Sequence, residues 1–229
     1  MAAVVHPYAP RFAQAITGVL CLEAIIFQTP GVVAVALLLV VLGLVGHPWS
    51  PVGWLFRLIA PPPRELEPGA PVRFSQILAV IFLSLSSAAF LAGFMVVGWV
   101  LAGMVAALAL LSAIFGLCAG CEIYRFVLAR RTADGESAPD LLGLTGGGPW
   151  LVVLTAPGCV RCGPVADAVI AKAAPDEVNV VDLSQRPEAA GLPVKSVPAV
   201  LALDRSGDIV VARAGRLAES DIDEVLAAV

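Results

Sequence analysis

Apolar residues run almost unbroken through the first part of this chain. The runs Phe12 to Phe27 and Gly31 to Val45 are separated by Gln28-Thr-Pro30, a turn. A longer apolar block extends from Phe74 to Leu128, too long for one helix, with a natural break at Val97-Gly98-Trp99. About 20 apolar residues cover a ~30 Å hydrocarbon core, so these runs predict four membrane spans, the first two short. Met1 to Pro10 reads as an irregular arm, because Pro7 and Pro10 interrupt any helix. His47 to Val72 reads as a Pro-rich loop in which Trp54 to Ile59 is expected to lie flat at the interface, and His47 sits at a helix end where capping is the expected role.

After the last span the pattern changes. Arg131 to Pro149 is polar and ends in Gly146-Gly-Gly148, which predicts a linker with one helical turn near Asp140 to Leu144. Beyond it the apolar runs shorten to strand length: Trp150 to Leu154, Val178 to Asp182, Ala199 to Leu203 and Ile209 to Ala214. Val165 to Ala174 reads as a helix, Arg205-Ser-Gly-Asp208 as a hairpin turn, and Ser220 as the cap of a last helix, Asp221 to Val229. The order β-α-β-(α)-β-β-α makes a compact α/β unit.

Composition narrows the class. The 229 residues are 59% hydrophobic and 14% charged, and the mean hydropathy is +0.91, the balance of a membrane protein. No Asp, Glu, Lys or Arg lies between Arg73 and Glu122. A formal net charge of −4 gives no reason to expect nucleic acid as a partner. No basic stretch followed by a cleavage site opens the chain, so the first apolar segment is expected to stay as a membrane helix. Basic residues (Arg11, Arg57, Arg64, Arg73, Arg125, Arg130 and Arg131) all fall on one side of a four-span arrangement. The turns near Thr29 and Gly98 carry no charge, so the C-terminal region is expected in the cytoplasm of a bacterial plasma membrane. From the Ala- and Val-rich, Lys-poor composition a high-GC bacterial source, such as an actinobacterium, is expected.

The five cysteines carry the candidate chemistry. Cys159-Val-Arg-Cys162 lies between a strand and a helix. There the helix start favours a thiolate at Cys159, Arg161 adds positive charge, and Cys162 is one turn behind to resolve a mixed disulfide. No second pair and no His follow, so a zinc site is disfavoured. The segment from Trp150 to Val229, with Cys159-x-x-Cys162, Val180-Val-Asp182, Val197-Pro198 and Gly215, resembles the thioredoxin family. That resemblance implies a thioredoxin-like α/β domain, a cis Val197–Pro198 bond, and a Val197 backbone beside Cys159 where a substrate strand pairs. The segment departs from the family in four residues and in a truncated first strand and helix. Gly158 stands where it usually has Trp, Val160-Arg161 where it has Gly-Pro, and Val153 where it has a buried carboxylate. The dithiol chemistry is implied; the redox potential and the partner are not.

A second pair, Gly116-Leu-Cys118-Ala-Gly-Cys121-Glu-Ile-Tyr124, is expected to end the fourth span with both cysteines on one helical face, Gly116 and Gly120 letting another helix approach. Cys21 falls mid-span, and Glu23, an acid in a membrane helix, is a candidate proton carrier; packing is the alternative for Cys21, and bonding to another helix for Glu23. An internal repeat is visible. Arg11-Phe-Ala-Gln14 recurs as Arg73-Phe-Ser-Gln76, and Gly43-Leu44 with Leu55-Phe-Arg57 has looser echoes in Gly116-Leu117 with Tyr124-Arg-Phe126. Two hairpin repeats in one orientation would explain it. On Pro10-Arg-Phe-Ala-Gln14, Ser50-Pro51, Arg73-Phe-Ser-Gln76 and the Cys118–Tyr124 stretch, Val5 to Arg130 resembles the bacterial domain of unknown function numbered 4395. That family brings no established activity; it implies a membrane module found beside thiol or sulfur-transfer proteins.

The expected architecture is therefore an α-helical transmembrane domain of four helices in two hairpin repeats (1–130), a linker (131–148) and a thioredoxin-like domain (149–229). The expected function is a membrane-bound thiol–disulfide oxidoreductase passing electrons between Cys159/Cys162 and Cys118/Cys121, with Pro198 and Val197 presenting a thiol or disulfide partner. No cofactor or metal is expected. Two other readings use the same cysteines: a sulfane-sulfur carrier holding a persulfide, and a redox sensor on a membrane anchor.

Overall fold

A computed structural model describes residues 4–46, 49–133, 137–173, 178–186, 189, 192, 194 and 196–228. In chain order the elements are β1 (Val4–Val5), α1 (Tyr8–Ile26), α2 (Pro30–Val45), α3 (Pro51–Ile59), β2 (Glu67–Pro68), α4 (Gly69–Leu91), α5 (Met95–Phe115), α6 (Ala119–Ala133), α7 (Ala138–Leu142), β3 (Trp150–Thr155), α8 (Cys162–Lys172), β4 (Val178–Asp182), β5 (Ala199–Leu203), β6 (Ile209–Ala214) and α9 (Glu219–Leu226). They form two compact units that do not follow chain order. One holds Tyr8–Pro61 and Pro71–Tyr124; the other gathers Ala2–Pro7, Pro62–Ala70 and Arg125–Val229. His47, expected at a helix end, lies outside the described residues, as do 134–136 of the expected linker and the helix ends Ala174 and Val229.

In the first unit, α1, α4 and α5 are long and apolar enough to cross a membrane, which marks the chain as a membrane protein. With 16 residues α2 is shorter, about 24 Å at 1.5 Å per residue against a core of ~30 Å. Of the four expected spans, three are thus long helices and the other, α2, is a shorter apolar one. α1 packs on both α2 and α5 around a core of Cys21, Ala24, Val33, Ala36, Leu83, Val105 and Ala106. Small residues at these contacts let the backbones approach: Gly18 of α1 lies against Leu110 of α5.

The second apolar block breaks elsewhere than expected, and twice. The first break is at Ala92–Phe94, where Gly93 has φ +84°, not at Gly98. Gly98 lies inside α5, its missing side chain making room for the Phe90 ring, and Ser86 Oγ donates to its carbonyl at 2.8 Å. The second break is at Gly116, which ends α5 in the left-handed region with φ +71°. The last span therefore stops at Phe115, and Cys118 and Cys121 belong to the turn and helix that follow.

The second unit is built on a four-stranded sheet of order β4-β3-β5-β6, in which β3 pairs parallel to β4 and antiparallel to β5, and β6 antiparallel to β5. Both faces are covered, so β3 and β5 read as continuous apolar runs. On β3, Leu151 and Val153 join Val169 of α8 and Val225 of α9; Val152 and Leu154 join Leu141 and Leu142 of α7 on the other face. The two-residue alternation of the strands sorts them between the layers. α7 is capped by Ser137 and buries Leu142. The stretch read as linker therefore contributes to this core from Ala138 onward. The last helix starts earlier than expected, at Glu219; its N-cap is Ala218 rather than Ser220, and the Asp221 carboxylate reaches back to accept the Ala218 N–H at 2.7 Å. The β5–β6 turn is held by Asp204, whose carboxylate accepts from Ser206 and Asp208; these bonds hold it below the usual carboxylate range.

Candidate functional site

Two cysteine corners stand out, each within its own unit. In the second unit, β3 ends at Thr155, a turn follows with Gly158 at φ +81°, and α8 begins at Cys162. Cys159 therefore lies in the turn ahead of the helix, not at its first residue as the sequence suggests. Its N–H donates to Ala156 O at 3.3 Å, and its carbonyl accepts from Cys162 N–H at 3.4 Å. The two cysteines are joined as a disulfide with Cα atoms 5.5 Å apart, a separation that suits the bond. Cys159 is half-buried, whereas Cys162 is 3% exposed. An attacking thiol can reach only the first of them.

The Val197–Pro198 bond is cis, and Val197 O lies 3.8 Å from Cys159 Sγ. Val197 and Pro198 thus stand beside the dithiol. Arg161, expected to favour a thiolate, instead forms an ion pair with Glu65, Nη1 to Oε1 3.0 Å. Its charge is shared with that carboxylate and not given wholly to Cys159. Glu65 escaped the sequence reading because it lies in a segment far away in the chain.

In the first unit, the turn after α5 brings Cys118 to the start of α6. Its Sγ accepts the Cys121 N–H at 3.3 Å and its carbonyl accepts from Glu122 N–H at 3.0 Å, the pattern of an N-cap. Cys118 and Cys121 form a disulfide with Cα atoms 5.1 Å apart. Again the first cysteine is half-buried and the second buried. The expectation that this pair ends a span is corrected: the Gly116 break frees the next residues to begin a new helix. Gly120 keeps the expected role, since Ser75 of α4 packs directly on it.

Two residues of the repeated motif complete this corner. Gln14 Nε2 lies 3.7 Å from Cys118 Sγ, and Ser112 Oγ donates to Gln14 Oε1. The Arg11 guanidinium lies against Gly116. The repeat was visible in the sequence, but its position at the second dithiol was not.

Within the first unit, Cys21 and Glu23 stand apart from the Cys118/Cys121 corner. Cys21 is a free thiol, fully buried in the α1–α2–α5 core. Glu23 is exposed; two residues on is about 200° around a helix, so it leaves the Cys21 face. It also lies nine residues beyond Gln14, about 13 Å along the axis. Among the described residues, no group of three or more His, Cys, Asp or Glu is placed to hold a metal ion.

Like contacts accompany the two copies of the motif. Phe12 packs on Phe56 with ring centroids 5.6 Å apart and 46° between planes. Phe74 packs on Tyr124 at 5.6 Å and 47°. Gln14 borders Gly116's turn, and Gln76 faces Gly43. Ser50 caps α3 by accepting the Gly53 N–H at 3.0 Å, in the place Cys118 takes at α6.

No curated protein and no solved structure matches the chain. A family described as a domain of unknown function (DUF4395) matches residues 5–129, more than half of the 229, and includes the repeat and the Cys118/Cys121 corner. The chain belongs to the DUF4395 family.

Proposed function

We propose that the protein is a membrane-bound thiol–disulfide oxidoreductase, with Cys159/Cys162 of a thioredoxin-like domain as the dithiol that meets the partner. The observation that carries the reading is the asymmetry of the pair: Cys159 accessible in a turn beside Val197 and Pro198, Cys162 buried behind it within bonding distance. In the reduced protein the Cys159 thiolate attacks one sulfur of a substrate disulfide. A Cys159–substrate disulfide forms, and the other substrate sulfur leaves as a thiolate that takes a proton from water. Cys162 thiolate then attacks Cys159 Sγ and the substrate departs as a dithiol. The two electrons the substrate gains are those lost as Cys159–Cys162 closes.

Cys118/Cys121 is the second dithiol of the relay and repeats the asymmetry. Electrons pass between the pairs by the same exchange, favoured by the high effective concentration of two groups on one chain. The domain that holds Cys159 is read as cytoplasmic from the placement of basic residues, a reading that requires the short helix α2 to cross the membrane along with α1, α4 and α5.

Trapping tests the reading. The Cys162→Ser variant, acid-quenched in membranes, alkylated and digested, is expected to yield a Cys159–Cys118 or Cys159–Cys121 cross-link together with adducts to outside thiol proteins. Absence of any Cys159 mixed disulfide would sink the oxidoreductase. Outside adducts alone would leave the membrane unit as an anchor, and added sulfur on Cys159 would favour the persulfide carrier.

A further inference from the structure

The segment Pro62–Ala70 connects α3 to α4 along the chain, yet it folds as part of the unit that carries Cys159. It lies along the dithiol residue by residue. Val160 N–H donates to Pro63 O at 3.4 Å. Arg64 O is 3.8 Å from Cys159 Sγ. Glu65 pairs with Arg161 at 3.0 Å. Leu66 and Val197 exchange both backbone hydrogen bonds, at 3.1 and 2.8 Å, as an antiparallel bridge. Leu66 is 6% exposed, buried with Val197, Leu154 and Cys162. Behind it Glu67–Pro68 pairs with Val4–Val5, which steadies the segment from the other side.

This is how an extended peptide adds to an exposed backbone edge: main-chain bonds supply affinity, and alternate side chains find their own partners. Val197 has one N–H and one C=O. While Leu66 uses both, no other strand can pair there. We propose that Pro63–Leu66 is a resident strand filling the polypeptide-docking edge of the dithiol, so that an extended polypeptide exchanges with Cys159/Cys162 only after Leu66 leaves Val197, whereas a small disulfide needs no such release. The inference rests on the oxidoreductase reading of the same cysteines and adds the partner class. A substrate strand in the same register presents an acidic side chain to Arg161 and an aliphatic one to the Leu66 position. Release also takes Glu65 from Arg161 and the Arg64 carbonyl from Cys159, both changes that favour a thiolate.

The test uses the full-length protein, reduced, in detergent micelles, with two chromogenic disulfides. One is an extended acidic peptide whose single cysteine is joined to nitrothiobenzoate; the other is free cysteine joined to the same group. Cys159 thiolate attacks the cysteine sulfur, nitrothiobenzoate leaves with the electron pair, and Cys162 then displaces the cysteine or peptide thiol. The readout is the ratio of peptide to cysteine rates, in which a change in thiolate fraction cancels. Leu66→Pro removes the Leu66 N–H and is expected to raise the ratio about tenfold. Glu65→Gln, which leaves the backbone untouched, is expected to raise it about threefold, and it decides the matter if the proline variant does not fold. Release from both probes with an unchanged ratio in Glu65→Gln and in a folded Leu66→Pro overturns the resident strand alone. No release from either probe in any variant removes the oxidoreductase reading and the strand with it.

Discussion

At Ser50 and at Cys118 the chain makes the same corner. Each side chain caps a helix by accepting a backbone N–H three residues on, from Gly53 at 3.0 Å in one case and from Cys121 at 3.3 Å in the other. Each helix then offers an aromatic ring, Phe56 or Tyr124, to the phenylalanine of an Arg-Phe-x-Gln motif, at 5.6 Å both times. The corners differ in chemistry. Ser50 and Gly53 cap and turn; Cys118 and Cys121 close a disulfide. Serine is among the strongest N-cap residues and cysteine is not. The first repeat therefore demonstrates that this corner folds without sulfur, and the second gains nothing in capping from it. That difference supports a chemical rather than an architectural role for the second pair.

The comparison can be broken by converting one corner into the other. Cys118→Ser with Cys121→Gly reproduces the Ser50/Gly53 corner. The chain is expected to fold and reach the membrane as before, while redox cycling of Cys159/Cys162 in cells falls to background, read as the fraction of both cysteines blocked by an alkylating mass tag. Continued cycling would remove Cys118/Cys121 from the relay.

A smaller effect separates the two motif glutamines. Gln14 touches Cys118 Sγ, whereas Gln76 faces Gly43. With Cys121→Ser as background, Gln14→Leu is expected to slow iodoacetamide labelling of Cys118 about three- to fivefold, because a donor to the sulfur favours its thiolate. Gln76→Leu should leave the rate unchanged, and equal slowing by both would mean that the motif acts only through packing.

The smallest effect tests the corner that has no chemistry. Ser50→Ala removes the cap on Gly53 and is expected to cost about 1 kcal/mol in unfolding from detergent, with Cys159/Cys162 cycling untouched. A loss of cycling at constant stability would show that the two corners are not the independent elements they look like.

Much of the second unit was legible residue by residue. Short apolar runs bounded by Gly, Pro and Asp became β3 to β6 with shifts of at most one residue; for β3 and β5, buried on both faces, sheet pairing is the way the backbone is satisfied. The membrane helices were legible as apolar runs, but their ends were not. Gly93 and Gly98 look alike in sequence. One turns the chain in the left-handed region; the other makes room for Phe90 inside a helix. Only the packing partner distinguishes these two uses of a missing side chain. The same limit hid the start of α6, and with it the capping role of Cys118.

Composition and periodicity alone determined a membrane helical part, an α/β part, two dithiols and a repeated motif, since each depends on residue type and local spacing. Tertiary structure decided which distant residues meet. Gln14 reaches Cys118, Glu65 takes Arg161, and Leu66 pairs with Val197. The last of these is the hardest to read from a sequence. Backbone pairing uses groups that every residue carries, so no pattern of side chains announces which strand will lie beside the dithiol.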